Sequence, residues 1–400
     1  MCNGIPHLSN IPLYYLPHSL EGRVDLLRIN HESASDFGPH HYEVVEIKLA
    51  KRIKAQHIAQ AAFYSHLVGL VQGFVPRGFY IVNGLGKETA FVHEDYQISV
   101  QEAVKEIREI MEGNLIPTPS FGMAPPPWVG YSQRMAQQIR DVSCIPGVGP
   151  DLRARLVESG LRTIEDVAVA DEQVLLSIHG IGKTKLRTIQ RGAEALTSGR
   201  KIKIGNPALP RFGDQIFIDF EGVDSSLADF DTEGFDFLYS AIIKRSSTNI
   251  GEFKYELITN PFDEDERREK VQKFLDLLNE LPNAPIYHWG SYERTHLDKI
   301  ASKYNFESKY SNIKPRLVNL HIVLRKSWVL PVNSYSIKEV GPLLGFTWRQ
   351  SDMDGREAIA EYIATLKSPI DSERHYKKIL EYNEDDIRAL VYIKSWMANP

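Results

Sequence analysis

The sequence predicts a multidomain α/β protein in which two α/β domains flank an all-α section. Its 400 residues exceed the usual size of one domain, and two stretches rich in proline and glycine divide them. Strand-like and helical runs are mixed in the outer sections, whereas the middle section has helical periodicity and paired glycines. We therefore expect an N-terminal domain over 1–112, a linker over 113–140, a helical module over 141–200 and a C-terminal domain with a mixed sheet over 210–400.

Composition limits the possible functions. The content of 42% hydrophobic and 25% charged residues is ordinary for a globular protein, and the net charge of −5 means that nucleic-acid binding would need local basic patches, helix termini or metals. No apolar run approaches the roughly 20 residues that span a bilayer, and no signal pattern is present, so we expect a cytoplasmic protein without a membrane partner. Two cysteines cannot form a four-cysteine metal site.

The first section predicts two strands that carry charged side chains. Residues 22–27 contain Asp25, and residues 42–49 contain Glu46 and Lys48. Because strand side chains repeat their facing every second residue, Glu46 and Lys48 share one face. The two acids and the lysine can therefore converge.

An apolar helix is predicted after these strands, over residues 55–72, with Gln60 and Tyr64 on one side of it. Together the residues resemble the RecB-type branch of the PD-(D/E)xK nucleases, in the order Gly22-x-x-Asp25, Glu46-x-Lys48 and Gln60-x-x-x-Tyr64. The resemblance implies that Asp25 and Glu46 hold a divalent metal and that Lys48 positions or activates water. It also implies that Gln60 and Tyr64 support the metal site and the DNA.

Such nucleases usually have a further helix before this motif. Residues 5–18 contain three prolines and do not predict a helix. The sequence therefore leaves two alternatives for the N-terminal domain: an active nuclease, or an N-terminally truncated and inactive one.

The middle section contains an internal repeat. Residues 145–150 and residues 178–183 each read apolar-x-Gly-apolar-Gly and precede a helical stretch. The glycines allow a tight turn at a helix N-terminus, where free N–H groups bind phosphate without reading base sequence. Nearby basic residues add positive charge: Arg153, Arg155, Lys183, Lys185, Arg187 and Arg191.

This repeat resembles a tandem helix-hairpin-helix module. The resemblance implies binding to the DNA backbone through Gly147, Gly149, Gly180, Gly182, Lys183 and Lys185. Helical hairpins that serve only packing or protein contacts remain the alternative.

The last section begins with the strand Ile-Phe-Ile-Asp-Phe-Glu-Gly at 216–222. Asp219 and Glu221 leave one face of this strand, while Ile218 and Phe220 leave the other. Two adjacent carboxylates raise each other's pKa unless a cation neutralises them, and carboxylate oxygens suit Mg²⁺ or Mn²⁺. Two solvated acids on an exposed strand are the alternative.

Further strands and helices follow in this section. A strand over 285–289 leads into a helix that begins near Ser291 and carries Glu293, and the last helix places Tyr382 and Asp386 one turn apart on one face. Trp328 and Trp348 are expected in the core.

The whole section resembles the RNase H-like exonuclease fold with a DEDD-type site, in a subfamily attached to RecB-like nucleases. The motifs are Asp219-x-Glu221, the stretch from His288 to Glu293, the stretch from Ser334 to Lys338, and Tyr382-Asn383-x-x-Asp386. The resemblance implies that four acids hold two divalent metals and that Tyr382 orients the attacking water. Glu293 stands where the family has its second aspartate.

The expected function is thus a metal-dependent nuclease that acts on DNA, or on RNA, as a 3′-to-5′ exonuclease. A catalytically impaired subunit that binds DNA ends or structures is the first alternative. An adaptor that uses the hairpins for protein contacts is the second.

Overall fold

The computed structural model describes residues 1–50, 52–125, 127–210, 213–223, 234–247, 251–350, 353–368 and 371–399. These residues form two compact units, Met1–Pro117 and Thr118–Pro400. Pro126 of the predicted linker and residues 211–212 near the start of the predicted C-terminal domain lie outside the described residues. Among the helices in the described part of the chain, none combines the length and apolarity that a membrane-spanning segment needs.

The first unit is a five-stranded sheet with two helices. Its elements are β1 (His7–Tyr15), β2 (Leu20–Asn30), β3 (His41–Ile47), α1 (Ala55–Gln72), β4 (Gly78–Val82), β5 (Glu88–Val92) and α2 (Glu94–Met111). The strands follow the order β1-β2-β3-β4-β5, and only β3 and β4 among neighbouring strands of this sheet are parallel. Helix α1 connects these two, as a parallel pair requires. The prediction of a strand, a strand and the helix 55–72 is confirmed.

The second unit begins with a helical module. Its helices are α3 (Val129–Gln138), α4 (Pro150–Glu158), α5 (Ile164–Val169), α6 (Glu172–Ser177) and α7 (Lys183–Ser198). The apolar side chains of all five helices, from Ala136 to Ala193, form one core. Helix α3 lies inside the stretch 113–140 that the sequence predicts as a linker, and its buried Ala136 belongs to this core.

The rest of the second unit is a mixed α/β domain. Its elements are β6 (Ile202–Lys203), β7 (Gln215–Val223), β8 (Phe235–Lys244), β9 (Gly251–Leu257), α8 (Glu264–Asn279), β10 (Ile286–His288), α9 (Tyr292–Tyr304), α10 (Glu307–Ile313), β11 (Leu317–Asn319), α11 (Leu320–Ser327), β12 (Trp328–Val329), α12 (Ile337–Leu344), α13 (Gly355–Lys367) and α14 (Ser372–Ala398). The main sheet has the order β11-β10-β7-β8-β9. Strands β11, β10 and β7 are parallel, and β8 and β9 run antiparallel to their neighbours.

Helices cover both faces of this sheet. Ile216, Ile218 and Phe220 of β7 pack against α8, α9 and α10. Phe217, which points the other way, packs with α11, α12 and α14. Because facing alternates, Asp219 and Glu221 share one face of β7, as the sequence predicts. In the structure, α14 covers that face.

The helical module is attached to the C-terminal domain by specific contacts. Strand β6, which follows α7, pairs antiparallel with β12. The Gln137 side chain donates to Asn333 Oδ1 over 2.7 Å, and Asn333 Nδ2 donates to the Cys144 carbonyl over 3.1 Å. Asn333 N–H in turn donates to Glu339 at the start of α12 over 3.0 Å. The module is therefore linked to the segment that carries α12.

Candidate metal centre and nucleic-acid interface

Three acids meet between β7 and α14. One carboxylate oxygen each from Asp219, Glu221 and Asp386 lies within 4.8 Å of the other two. We call these three residues the acid cluster. Strand β7 supplies two members at alternate positions, and α14 crosses the same face of the sheet with the third. The structure therefore brings together three of the predicted acids.

Burial and mutual repulsion raise the pKa values of the three carboxyl groups in the acid cluster. Only 9% of Glu221 and 7% of Asp386 are exposed. Burial, with added repulsion from Asp386, raises the pKa of Glu221 to about 8. Burial and the charges of the other two acids also raise the pKa of Asp219 well above its usual value, and burial raises that of Asp386. Three carboxylates this close together and largely removed from solvent favour either protonation or a bound cation.

Asn383 bridges two members of the acid cluster. Its fully buried amide donates to Asp219 Oδ2 over 2.7 Å and to Glu221 Oε1 over 3.3 Å. Ser240 Oγ on β8 contacts Asn383 Oδ1 and lies 2.9 Å from the Asp219 carbonyl oxygen. The amide is thus oriented with its N–H groups toward the carboxylates. The sequence motif contains Asn383, but the sequence assigns it no role.

Trp348 makes a hydrogen bond to Asp386, the third residue of the acid cluster. Its indole Nε1 donates to Asp386 Oδ1, although the sequence predicts only a core tryptophan. The ring is seated because Gly341 in α12 has no side chain: a Cβ there would lie 2.4 Å from the ring. A buried indole N–H usually needs an acceptor, and a glycine inside a helix often marks a close approach. These two features of the sequence, a core tryptophan and a glycine inside a helix, are the signals from which a polar contact of Trp348 could have been predicted.

Tyr382 lies beside the acid cluster, as predicted. Burial, followed by the charge on Asp386, raises the pKa of its hydroxyl, which therefore stays protonated at neutral pH. Asp385 is directed elsewhere and accepts from Arg349 Nε over 2.8 Å. The helical spacing of Tyr382 and Asp386 therefore places both on the sheet, while Asp385 is neutralised on another side.

Glu293 lies outside the acid cluster. It is buried in the first turn of α9, and its Oε2 lies 3.4 Å from His288 Nδ1. Its charge still contributes to the raised pKa of Asp219 and Glu221. A second position in this region, Asp236 on β8, was not predicted from the sequence.

Asp236 ties α9 to the sheet. Its carboxylate accepts from Tyr292 OH over 2.8 Å and lies 2.9 Å from His296 Nδ1. Tyr292 and His296 are one turn apart, and their rings stack at 3.8 Å. Gly222 makes room for this contact, since a Cβ there would lie 2.4 Å from Tyr292 OH. The network fixes the first turn of α9, from which Glu293 projects.

A second group of charged residues forms in the first unit. Lys48 Nζ donates to Glu46 Oε2 over 2.7 Å, and Asp25 Oδ2 accepts from the Ile47 N–H over 2.8 Å. Burial, together with repulsion from Asp25, raises the pKa of Glu46, which is 1% exposed. The predicted acid, acid and lysine therefore lie close together.

The helix side of this group also matches its predicted geometry. Gln60 Nε2 donates to Tyr64 OH over 3.1 Å. Gly22 on β2 leaves space for the Tyr64 ring, since a Cβ there would lie 2.7 Å from it. The glycine and the tyrosine of the motif are thus packed against each other.

The two glycine turns of the helical module are alike. Gly147 and Gly180 have φ of +93° and +86°, and in each turn the residue after this glycine donates its N–H to the carbonyl three residues before it, over 3.1 Å. Gly149 and Gly182 cap α4 and α7, and both glycine pairs are exposed. The positive φ explains why glycine is required.

The positive charge of the module is concentrated at the second turn. Lys183, Lys185 and Arg187 are exposed at the start of α7. Arg153, which the sequence counts as free positive charge, instead makes two hydrogen bonds to Asp141, at 2.9 and 2.8 Å. The first turn is therefore the less basic of the two.

The acid cluster fits a divalent metal ion. Its ligand atoms are carboxylate oxygens, which Mg²⁺ and Mn²⁺ prefer, and burial with mutual repulsion leaves them short of positive charge. The residues that would hold such an ion are Asp219, Glu221 and Asp386.

Comparison with known families identifies both parts of the second unit. Residues 217–398 match the RNase_H superfamily, and residues 139–195 match the SAM-like helix-hairpin-helix tandem. A search of the curated proteins found no match. The multidomain α/β class, with mixed sheets, a helix-hairpin-helix region and an RNase H-like domain, is confirmed. The two domains indicate a nuclease-type hydrolase and nucleic-acid binding.

Proposed function

We propose, from an RNase H superfamily domain joined to a tandem helix-hairpin-helix domain, that the chain is a divalent-metal-dependent nuclease. It hydrolyses phosphodiester bonds of DNA as a 3′-to-5′ exonuclease in its C-terminal domain. The observation that carries this proposal is the acid cluster on the face of β7 covered by α14. Mg²⁺ or Mn²⁺ bound there would supply the positive charge that offsets the negative charge developing on the scissile phosphate.

The protein residues around the metal have distinct roles in this proposal. Asp219, Glu221 and Asp386 hold the cation, and Glu293 extends the acidic environment from α9. Asn383 keeps two carboxylates oriented. Tyr382, protonated and next to Asp386, orients the water that attacks phosphorus. The new bond forms between the water oxygen and phosphorus, and the bond from phosphorus to the 3′-oxygen breaks. The attacking water loses one proton to solvent, and the departing 3′-oxygen takes up one proton from solvent to become a hydroxyl.

The hairpin module holds the backbone of the substrate. Its exposed glycine turns and helix N-termini offer N–H groups, and Lys183 and Lys185 add charge at the second turn. The Asn333 contacts link the module to the domain that carries the acid cluster. The end of a DNA strand that the module binds can therefore be delivered repeatedly to the acid cluster.

The test uses 5′-labelled single-stranded DNA, duplex DNA and RNA with Mg²⁺ or Mn²⁺. Asp219→Asn keeps the side-chain shape and removes the charge, so it is expected to abolish cleavage without weakening DNA binding. A ladder of products shortened from the 3′ end supports the stated polarity. Cleavage that survives in Asp219→Asn would contradict assignment to the C-terminal domain.

The N-terminal group supports a second candidate, a RecB-like PD-(D/E)xK nuclease centre. Its supporting observation is the proximity of Asp25, Glu46 and Lys48, with Gln60 and Tyr64 on the adjacent helix. Glu46→Gln is the matched variant. Endonucleolytic products that persist in Asp219→Asn and disappear in Glu46→Gln would assign activity to this centre.

A catalytically impaired subunit that binds DNA ends is the remaining alternative. It is favoured by Glu293, which is one methylene longer than aspartate and lies outside the acid cluster. This alternative would be supported if the protein binds DNA without a metal and cleaves it with neither Mg²⁺ nor Mn²⁺.

A further inference from the structure

A lysine occupies the edge of the acid cluster. Lys338 Nζ lies 2.5 Å from Asp386 Oδ1. It also lies 4.3 Å from the ring centre of Tyr382 and 4.5 Å from that of Trp348. Both rings present the negative potential of their faces to the ammonium group. The proposed roles of the site residues leave Lys338 without a function.

The surroundings hold this ammonium group at one point. Lys338 is in the first turn of α12, and Gly341, one turn later on the same face, makes space for the Trp348 ring. The same Asp386 oxygen accepts from both Lys338 and Trp348. About a third of the lysine side chain, 34%, stays exposed. An ammonium group has three donors, so donors remain for a ligand that approaches from solvent.

The net charge of the acid cluster and Lys338 indicates how many metal ions the centre can hold. Three carboxylates carry a charge of about −3 when ionised, and Lys338 reduces this to about −2, which one divalent cation balances. Among the described residues, Lys338 is the only lysine or arginine that forms an ion pair with the acid cluster. Glu293, the candidate fourth acid, lies near His288 and not in the cluster. The arrangement provides the charge for one metal ion and one fixed ammonium group.

We propose that Lys338 is a catalytic cation that binds a non-bridging oxygen of the scissile phosphate. In this arrangement the acid cluster holds one divalent ion, and the ammonium group of Lys338 is the second cationic group of the centre. This inference rests on the proposed nuclease function and specifies which group in the C-terminal site binds the phosphate. The ligand class is a phosphodiester or a nucleoside monophosphate.

The experiment measures metal and phosphate binding, so it does not depend on cleavage. The full chain carries Asp25→Asn and Glu46→Gln so that the N-terminal acids do not bind metal. Mn²⁺ is titrated by electron paramagnetic resonance, and thymidine 5′-monophosphate is then titrated by calorimetry with Mn²⁺ present. The parent is compared with Lys338→Met and with Lys338→Arg, which keeps the charge.

The parent is expected to bind one Mn²⁺ at the C-terminal site. Lys338→Met removes a competing cation from Asp386, so Mn²⁺ should bind at least as tightly as in the parent. Its affinity for thymidine 5′-monophosphate should fall by about tenfold or more, the usual effect of losing a hydrogen bond to a charged group. Lys338→Arg should keep most of that affinity.

Two outcomes would overturn the proposal. One is a stoichiometry of two Mn²⁺ at the C-terminal site of the parent. The other is unchanged nucleotide affinity in Lys338→Met, which would mean that the lysine only neutralises Asp386. Lys338→Gln, checked by near-ultraviolet circular dichroism, serves in the same titrations if the methionine variant does not fold. Failure of the proposed nuclease function would appear separately, as absent DNA cleavage by the unsubstituted protein.

Discussion

Raising the pH of the metal-free protein is expected to destabilise its C-terminal domain. Glu221 shares a buried site with Asp219 and Asp386, and burial raises its pKa from 4.5 to about 8. The folded state therefore binds this proton more tightly than the unfolded state. The stabilisation is complete below about pH 4.5 and is lost as the pH rises through about 8.

The size of the effect follows from the two pKa values. A shift from 4.5 to about 8 corresponds to about 5 kcal/mol, at about 1.4 kcal/mol for each tenfold change in proton affinity. For a domain of this size, 1 kcal/mol changes the melting temperature by about 2–4 °C. Between pH 5 and pH 8 about 3.5 kcal/mol of this stabilisation is lost, so the melting temperature should fall by about 10 °C because of Glu221 alone.

Differential scanning fluorimetry in EDTA at pH 5, 6.5 and 8 measures this. The matched variant is Glu221→Gln, which keeps the shape of the side chain and cannot titrate. Glu384→Gln is the control on the same helix as Asp386, because Glu384 pairs with Arg349 and Arg388 away from the acid cluster. The wild type and Glu384→Gln should lose stability with pH. Glu221→Gln should lose less, because only Asp219 and Asp386 of the acid cluster then titrate with a raised pKa.

Adding Mn²⁺ at pH 8 should restore the wild-type melting temperature, since the cation replaces the proton. Parallel pH curves for wild type and Glu221→Gln would refute the reasoning. So would an equal Mn²⁺ response in the two proteins.

Three further predictions concern other parts of the chain. Gly341→Ala should lower the free energy of unfolding by about 1–3 kcal/mol in chemical denaturation, despite the better helix propensity of alanine, because its Cβ collides with Trp348; a stabilised variant would contradict this. Asn383→Leu should destabilise the metal-free protein at pH 8 by about 2–4 kcal/mol through two lost hydrogen bonds to carboxylates, and an unchanged urea midpoint would count against it. Lys183→Glu with Lys185→Glu should weaken DNA binding in fluorescence anisotropy and reduce the salt slope by about 2, whereas an unchanged slope would exclude these lysines from the interface.

Local sequence patterns predict the strand and helix that carry the acid cluster. The alternation in β7 separates Asp219 and Glu221 from the apolar residues, and the spacing of four in α14 places Tyr382 and Asp386 on one face. Both rules depend only on neighbouring residues. The pattern therefore predicts which side chains share a face, although not which faces meet.

The partners of the acids could not be predicted because they come from distant parts of the chain. Asn383 is 164 positions from Asp219, and Lys338 is 48 from Asp386. Trp348 is a buried aromatic residue, so hydrophobicity alone predicts core packing and gives no indication of its acceptor. Asp236 lies in an apolar strand, and its partners Tyr292 and His296 are identified only once α9 packs on β8.

The contacts of Asn333 with Gln137 and with the Cys144 carbonyl also determine where the protein can be divided. A fragment that starts near residue 210 would lack β6, which is the strand that pairs with β12, and would leave the Asn333 amide without Gln137 and the Cys144 carbonyl. An unpaired strand edge promotes aggregation. A soluble catalytic fragment should therefore be cut before α3 rather than after α7. A cut near residue 210, the boundary that the sequence predicts, would separate these contacting residues.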